Sequence, residues 1–227
     1  MGKIFLVRHG QASLGAANYD QLSALGVQQS RRLGEYFKEC GVQFEAAYCG
    51  TLVRQQHTLS HILNALEVEP GSCPITQTDS LNEYDSHGVM QCIHKGPIPN
   101  PSTPEGYKAF FRLLRSALLY WITHPVTPVN TPSFTTFLDG VRRTLKEIQL
   151  KHTGSGSVLV ISSGGPISTA LAYLMSIGPQ TQIELNLGLR NTSVCELNFN
   201  QRKISVIGFN SVAHLAQEKY KDWITYA

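Results

Sequence analysis

The 227-residue sequence has no apolar run approaching the roughly 20 residues that a helix needs to cross a bilayer. Its start offers only residues 4–7 before Arg8, too few for the apolar stretch of a secretory signal, and Leu6 stands where a myristoylation motif needs Ser or Thr. A cytoplasmic protein without a membrane partner is the expectation. No Gly/Ser linker, charge block or internal repeat marks a boundary, so residues 1–227 read as one domain. The five cysteines, at positions 40, 49, 73, 92 and 195, are odd in number and lack CxxC spacing, which favours reduced thiols and excludes zinc-finger geometry. Charge is also scarce: 15% of residues carry it, the balance is only +3, and the Lys and Arg residues are scattered, so a nucleic-acid partner is not expected.

Apolar residues make up 42% of the chain, enough for a substantial core, and their spacing orders it. Residues 3–7 read as a buried strand. Ser23 then caps a helix to about Phe37, with Val27, Leu33 and Phe37 at helical spacing. A strand at 46–49 precedes a second helix striped by Leu52, Leu59, Ile62, Leu63 and Leu66, with Arg54 in its first turn. Residues 84–104, rich in Pro, Gly, Asn and Ser, read as a loop leading into a helix with Tyr107, Phe110, Phe111, Leu114, Leu118 and Trp121. Another Pro-rich stretch, 125–132, precedes a helix with Phe137, Val141, Leu145 and Ile148, so a loop and helix cover is expected over about 84–133. A strand follows at 157–161, the turn Gly164-Gly165-Pro166 opens a helix with Pro166 in its first position, and 193–199 with 203–209 form a hairpin before an amphipathic tail. Strands alternating with helices imply an α/β fold, a mostly parallel central sheet covered on both faces.

Ligand sites in open α/β folds gather at the carboxyl ends of strands, where Arg8-His9, the 49–54 turn and 162–165 would all lie. Arg8 and Arg54 would offer planar charge-assisted donors, and the N–H groups of Gly164 and Gly165 at a helix start suit an anion. A small phosphorylated substrate or inorganic phosphate is the partner this set implies. A neutral imidazole at His9, with its other nitrogen oriented by an acceptor such as the Gly10 carbonyl, can attack phosphorus in line and form a phosphohistidine.

Three segments, Val7-Arg8-His9-Gly10-Gln11, then Tyr19-Asp20-Gln21-Leu22-Ser23-Ala24-Leu25-Gly26-Val27-Gln28-Gln29, then Gly50-Thr51-Leu52-Val53-Arg54-Gln55-Gln56-His57-Thr58, together resemble the histidine phosphatase superfamily, the phosphoglycerate-mutase-like proteins. The resemblance runs from Lys3 to about Phe209 and implies a three-layer α/β/α sandwich and a phosphomonoesterase acting through phospho-His9 without a cofactor or metal. It also implies Glu83, in Leu81-Asn82-Glu83, as proton donor, with Asp85 as competitor. Ser163, in Ser162-Ser163-Gly164-Gly165, falls where the family's second histidine would stand. A serine donates a hydrogen bond without the charge, and loss of one preorganised donor typically costs on the order of 10²- to 10³-fold in rate. Ser163 and Gly164 are thus expected beside Arg8 and Arg54 at the phosphate, and Ser163→His is expected to raise turnover. His57, His87 and His94 are the histidines that could fill the gap. The pattern departs further at Gln11, where the family commonly has Glu, and at Gly15, where it has Asn; Ser13 and Asn18 are the alternatives for the latter.

Two other signals are weak. His57 and His61 stand four apart, but without a third ligand they do not specify a metal site, and Gly154-Ser155-Gly156 precedes a strand and reads as a turn, not a dinucleotide loop. A glycolytic mutase is the less favoured activity, because the mutases of this resemblance carry an Arg-Arg-Ser-Tyr/Phe-Asp segment without counterpart here. The competing class is a binding protein that grips phosphate but turns over negligibly because of Ser163.

Overall fold

A computed structural model describes residues 1–13, 20–152 and 154–226. The strands are β1 (Gly2–Arg8), β2 (Phe44–Cys49), β3 (Ile75–Gln77), β4 (Ser157–Ser162), β5 (Val194–Phe199) and β6 (Ile204–Ser211). The helices are α1 (Ala24–Glu39), α2 (Val53–Ala65), α3 (Ser86–Gln91), α4 (Pro104–Thr123), α5 (Phe134–Lys151), α6 (Gly164–Met175) and α7 (Pro179–Gly188). One six-stranded sheet has the order β3-β2-β4-β1-β5-β6. β3, β2, β4 and β1 run parallel, whereas β5 and β6 complete the sheet as an antiparallel hairpin.

The period of two along the central strands divides the core. Ile4, Leu6, Ala46, Tyr48, Val158 and Val160 pack with Leu118, Trp121, Val141, Ile148, Ile167 and Leu171 of α4, α5 and α6. Their alternates Phe5, Val7, Ala47, Cys49, Leu159 and Ile161 pack with Leu33, Phe37, Leu59 and Ile62 of α1 and α2. Helices therefore bury both faces, giving the expected α/β layering. Ser23 caps α1 as predicted, its side chain accepting from Gly26 N at 3.0 Å. Among the described residues no helix is long and apolar enough to cross a membrane.

Several local expectations change. The 84–104 stretch contains α3, capped by the Asp85 side chain, and is not loop throughout. Pro166 is the third residue of α6 rather than the first; its missing N–H still costs nothing, because the first-turn amides have no intrahelical acceptor. β3 and α7 were not anticipated: β3 is three residues long, and α7 buries only Ile183, Gln182 and Asn186, so neither carries a readable stripe. The tail forms two 3-10 turns, Ala213–Leu215 and Glu218–Trp223, that return to α1. Gln29 donates from Nε2 to Trp223 O at 2.6 Å, and the Arg32 Nε donates to His214 O at 3.1 Å.

His214 is expected to make the fold acid-sensitive. Its ring is buried, with Nε2 2.9 Å from Thr192 Oγ1, beside the Tyr36 ring and the Arg32 cation. Burial, assisted by Arg32, pulls its pKa down to about 3. Below an unfolded value of 6.5 the unfolded chain takes up a proton that the native chain refuses, so stability falls as pH drops from 6.5 towards 3. Two pH units on this slope are worth about 3 kcal/mol. The melting temperature is expected to fall by about 5–10 °C between pH 6.5 and 4.5 from this group alone. His214→Gln, which cannot take up the proton, should show a visibly smaller acid-induced drop in a calorimetric scan; an equal drop would refute the assignment.

Candidate active site

Parallel pairing brings the sequence motifs together. Arg8 lies opposite Ser162 in the β1–β4 ladder, and His9 N donates to Ser162 O at 2.9 Å, so His9 and Ser163 leave adjacent strands side by side. Gly50 N donates to Ile161 O at 3.3 Å, which carries the 50–54 turn to the same edge. The tight packing of this edge uses glycine: a Cβ on Gly10 would lie 2.5 Å from Gly26 O, and one on Gly26 only 2.1 Å from Gln11 O.

His9 is 4% exposed. Its Nδ1 stands 2.7 Å from Gly10 O, a contact that requires Nδ1 to carry the hydrogen, and Arg54 Nε donates to Nε2 at 3.2 Å. Burial, then the Arg54 and Arg8 cations, push its pKa well below the usual histidine value. The ring is therefore neutral, with the Nε2 lone pair directed at a guanidinium. Its backbone is clamped as well, His9 O accepting from Thr192 N and Asn191 Nδ2, each at 3.3 Å.

Arg54 bridges this imidazole and Asp20, to which Nη1 donates at 2.7 Å. Asp20 also accepts from Val53 N at 2.9 Å and so caps α2 from another part of the chain. Arg8 is buried and donates from Nη1 to Leu189 O. Gly10 N donates to Thr58 Oγ1 at 3.0 Å, fixing the turn after the strand on α2.

The Glu83 carboxyl is half-buried and receives Gly165 N at 2.9 Å through Oε1 and 3.3 Å through Oε2, with Tyr84 N at 3.3 Å. Burial raises its pKa, outweighing the opposing pull of Arg54 and Arg8, whose fields reach it. Asp85, the competing carboxylate, accepts from His87 N at 3.0 Å and Asn130 Nδ2 at 3.3 Å, where it caps α3.

The expected anion cradle is altered. The Gly165 amide is not vacant: its acceptor is the protein's own Glu83 carboxyl. Gly164 N heads α6 as anticipated. Ser163 is the N-cap residue, wholly enclosed, and its hydroxyl accepts from Gln55 Nε2 at 2.8 Å. Among the histidines considered for the gap, His57 is exposed on α2, His87 is exposed with its ring against Phe110, and His94 Nε2 lies 3.2 Å from Pro97 O; none is hydrogen-bonded to His9, Arg8 or Arg54. Gln11 accepts from Ser23 Oγ at 2.8 Å, and Ser13 N donates to Gln21 O at 2.8 Å, whereas Gly15 and Asn18 lie outside the described residues. Among the described residues no group of three or more His, Cys, Asp or Glu side chains stands ready to hold a metal ion. Sequence reading missed Asp20 and Gln55, although both lie inside the segments that carried the resemblance.

The sequence matches the family model of the histidine phosphatase superfamily (branch 1) over residues 4–212. The chain belongs to this superfamily. This member is 25% identical over 241 residues to a 2,3-bisphosphoglycerate-dependent phosphoglycerate mutase of Hamiltonella defensa, covering 95% of this chain and 94% of the mutase. Its fold is similar to that of phosphoserine phosphatase from Entamoeba histolytica, solved with 3-phosphoglyceric acid, at a TM-score of 0.67 and 19% identity over 95% of this chain and 100% of that one. A mycobacterial glucosyl-3-phosphoglycerate phosphatase solved with inorganic phosphate gives 0.66 at 18% identity over the same shares of the two chains. The superfamily thus places phosphatases and a mutase around this chain, with the fold in common.

Proposed function

We propose that this protein is a metal-independent phosphatase that hydrolyses a small phosphomonoester through a phosphohistidine on His9, at a rate lowered by Ser163. The observation that carries the reading is a buried His9, held at Gly10 O through Nδ1 and at Arg54 through Nε2, at the same strand edge as the α6 start where Gly165 N holds the half-buried Glu83, whose pKa is raised. With Nδ1 held at Gly10 O, Nε2 is the attacking atom. Its lone pair forms the bond to phosphorus while the ester P–O bond breaks, and the departing oxygen takes the Glu83 proton. Arg54 and Arg8 balance the phosphoryl charge, Arg54 exchanging its contact with Nε2 for a phosphoryl oxygen. The Glu83 carboxylate, held by the Gly165 amide, then takes a proton from water as that water attacks phosphorus and restores His9. Hydrolysis is preferred to mutase transfer because the mutases' Arg-Arg-Ser-Tyr/Phe-Asp segment has no counterpart in this sequence.

A second reading, phosphate binding with negligible turnover, is favoured by the state of the α6 start: Gly165 N is already engaged and Ser163 is enclosed. Release of phosphate from p-nitrophenyl phosphate in the presence of a chelator, between pH 4.5 and 7.5, separates the two. Chelator-resistant release is expected under the first. Background release together with saturable binding of inorganic phosphate would replace it with the second.

A further inference from the structure

Gln55 lies beside the site and has no part in the scheme above. It is wholly buried, and its Nε2 donates both hydrogens, to Ser163 Oγ at 2.8 Å and to Leu81 O at 2.9 Å. Leu81 O also accepts from Ser162 Oγ at 2.8 Å and lies two residues before Glu83. The carboxamide therefore ties the α6 N-cap to the segment that delivers the proposed acid. Its orientation is fixed, since a flipped amide would set oxygen against the Leu81 carbonyl. Gln55 Oε1 is buried and has no hydrogen-bond partner among the described residues. It points at Gly50, where an added Cβ would lie 1.8 Å from it and 2.5 Å from Asn82 Oδ1. Any residue larger than glycine at position 50 would thus expel this carboxamide. Ser163 has no exposed surface, so a longer side chain there finds the direction of its hydroxyl filled by Gln55 and no solvent to turn into.

We infer that Gly50, Gln55 and Ser163 form one interdependent set, in which Gln55 is a positioning residue that holds Ser163 and the Glu83 segment, and that an imidazole at position 163 is accommodated only when residue 55 is made small. The catalytic half of this inference rests on the phosphatase reading; the steric half does not. Its consequence is that Ser163→His alone does not raise turnover, contrary to what the sequence implies.

The test is a four-protein cycle of the unaltered chain, Ser163→His, Gln55→Ala and the double variant, followed by thermal unfolding and by chelator-resistant release from p-nitrophenyl phosphate with kcat and KM resolved. Ser163→His alone should lower the melting temperature by about 5 °C, and the double variant should recover most of that loss. The sign of the Gln55→Ala effect on kcat should depend on residue 163: a fall beside serine, but a rise of at least about 10-fold beside histidine, with KM nearly constant. Steric relief alone accounts for the rise beside histidine; the fall in kcat beside serine at nearly constant KM is the part that a purely structural role for Gln55 would not produce. The inference is overturned if Ser163→His by itself keeps the melting temperature and speeds turnover, or if the two substitutions act independently on both readouts. If none of the four proteins releases phosphate, it is the phosphatase reading that falls, and melting temperatures still decide the coupling: a recovered double variant supports it and additive losses refute it.

Discussion

Replacing His9 with alanine is expected to lower chelator-resistant release from p-nitrophenyl phosphate by on the order of 10⁴-fold or more. The variant loses the atom that forms the covalent intermediate, leaving only direct attack by water, while Arg8 and Arg54 remain to bind phosphate. Removal of the ring takes away only the acceptor that Arg54 Nε meets at His9 Nε2. Inorganic phosphate should therefore still bind, with a dissociation constant within about tenfold of the parent's. An acid-labile, alkali-stable phosphoryl adduct should be trapped by rapid quenching of the parent and be absent from the variant. A variant retaining more than a tenth of the parent rate would remove His9 from the nucleophile role.

Glu83→Gln carries the other large effect, a fall in kcat of about 10²- to 10⁴-fold. The amide oxygen can still accept from Gly165 N, so the substitution removes the transferable proton with little change in packing. Alkyl phosphates, whose leaving oxygen needs that proton, should suffer more than p-nitrophenyl phosphate, whose phenolate leaves readily; equal losses on both would argue against an acid role. The pH profile follows from the two shifts. His9, its pKa lowered by burial and two cations, stays a neutral nucleophile into acid. Glu83, its pKa raised by burial, keeps its proton above the ordinary carboxylate range and loses it as pH rises through the raised value. Activity on alkyl phosphates is thus expected on the acid side of neutrality, declining towards alkaline pH, and Glu83→Gln should flatten that decline.

These two residues illustrate how unevenly the site was written in the sequence. His9 could be read because it follows a short buried strand and sits in a dense local pattern, and because the turns at 49–54 and 162–165 also follow strands. Glu83 follows a 3-10 turn with no periodic signal, and the choice between it and Asp85 came only from the resemblance. Folding separates them: Asp85 turns towards the α3 amides and Asn130, whereas Glu83 crosses to the start of α6. The paired glycines at 164 and 165 were legible as a helix start suited to an anion, yet the group that reaches Gly165 N is a carboxyl of the same chain.

The sequence by itself determined the layered α/β plan, the Ser23 cap, the stripes of the long helices, and the convergence of Arg8, His9 and Arg54, because strand and helix periods are local and parallel strands end on one edge. Only the tertiary structure decided the partners: Asp20 for Arg54 across 34 positions, Gly165 for Glu83 across 82, and Gln55 for Ser163 across 108. No periodicity spans such distances. Their selection depends on which polar groups the packed core leaves enclosed together, and enclosed polar groups must find partners where they lie.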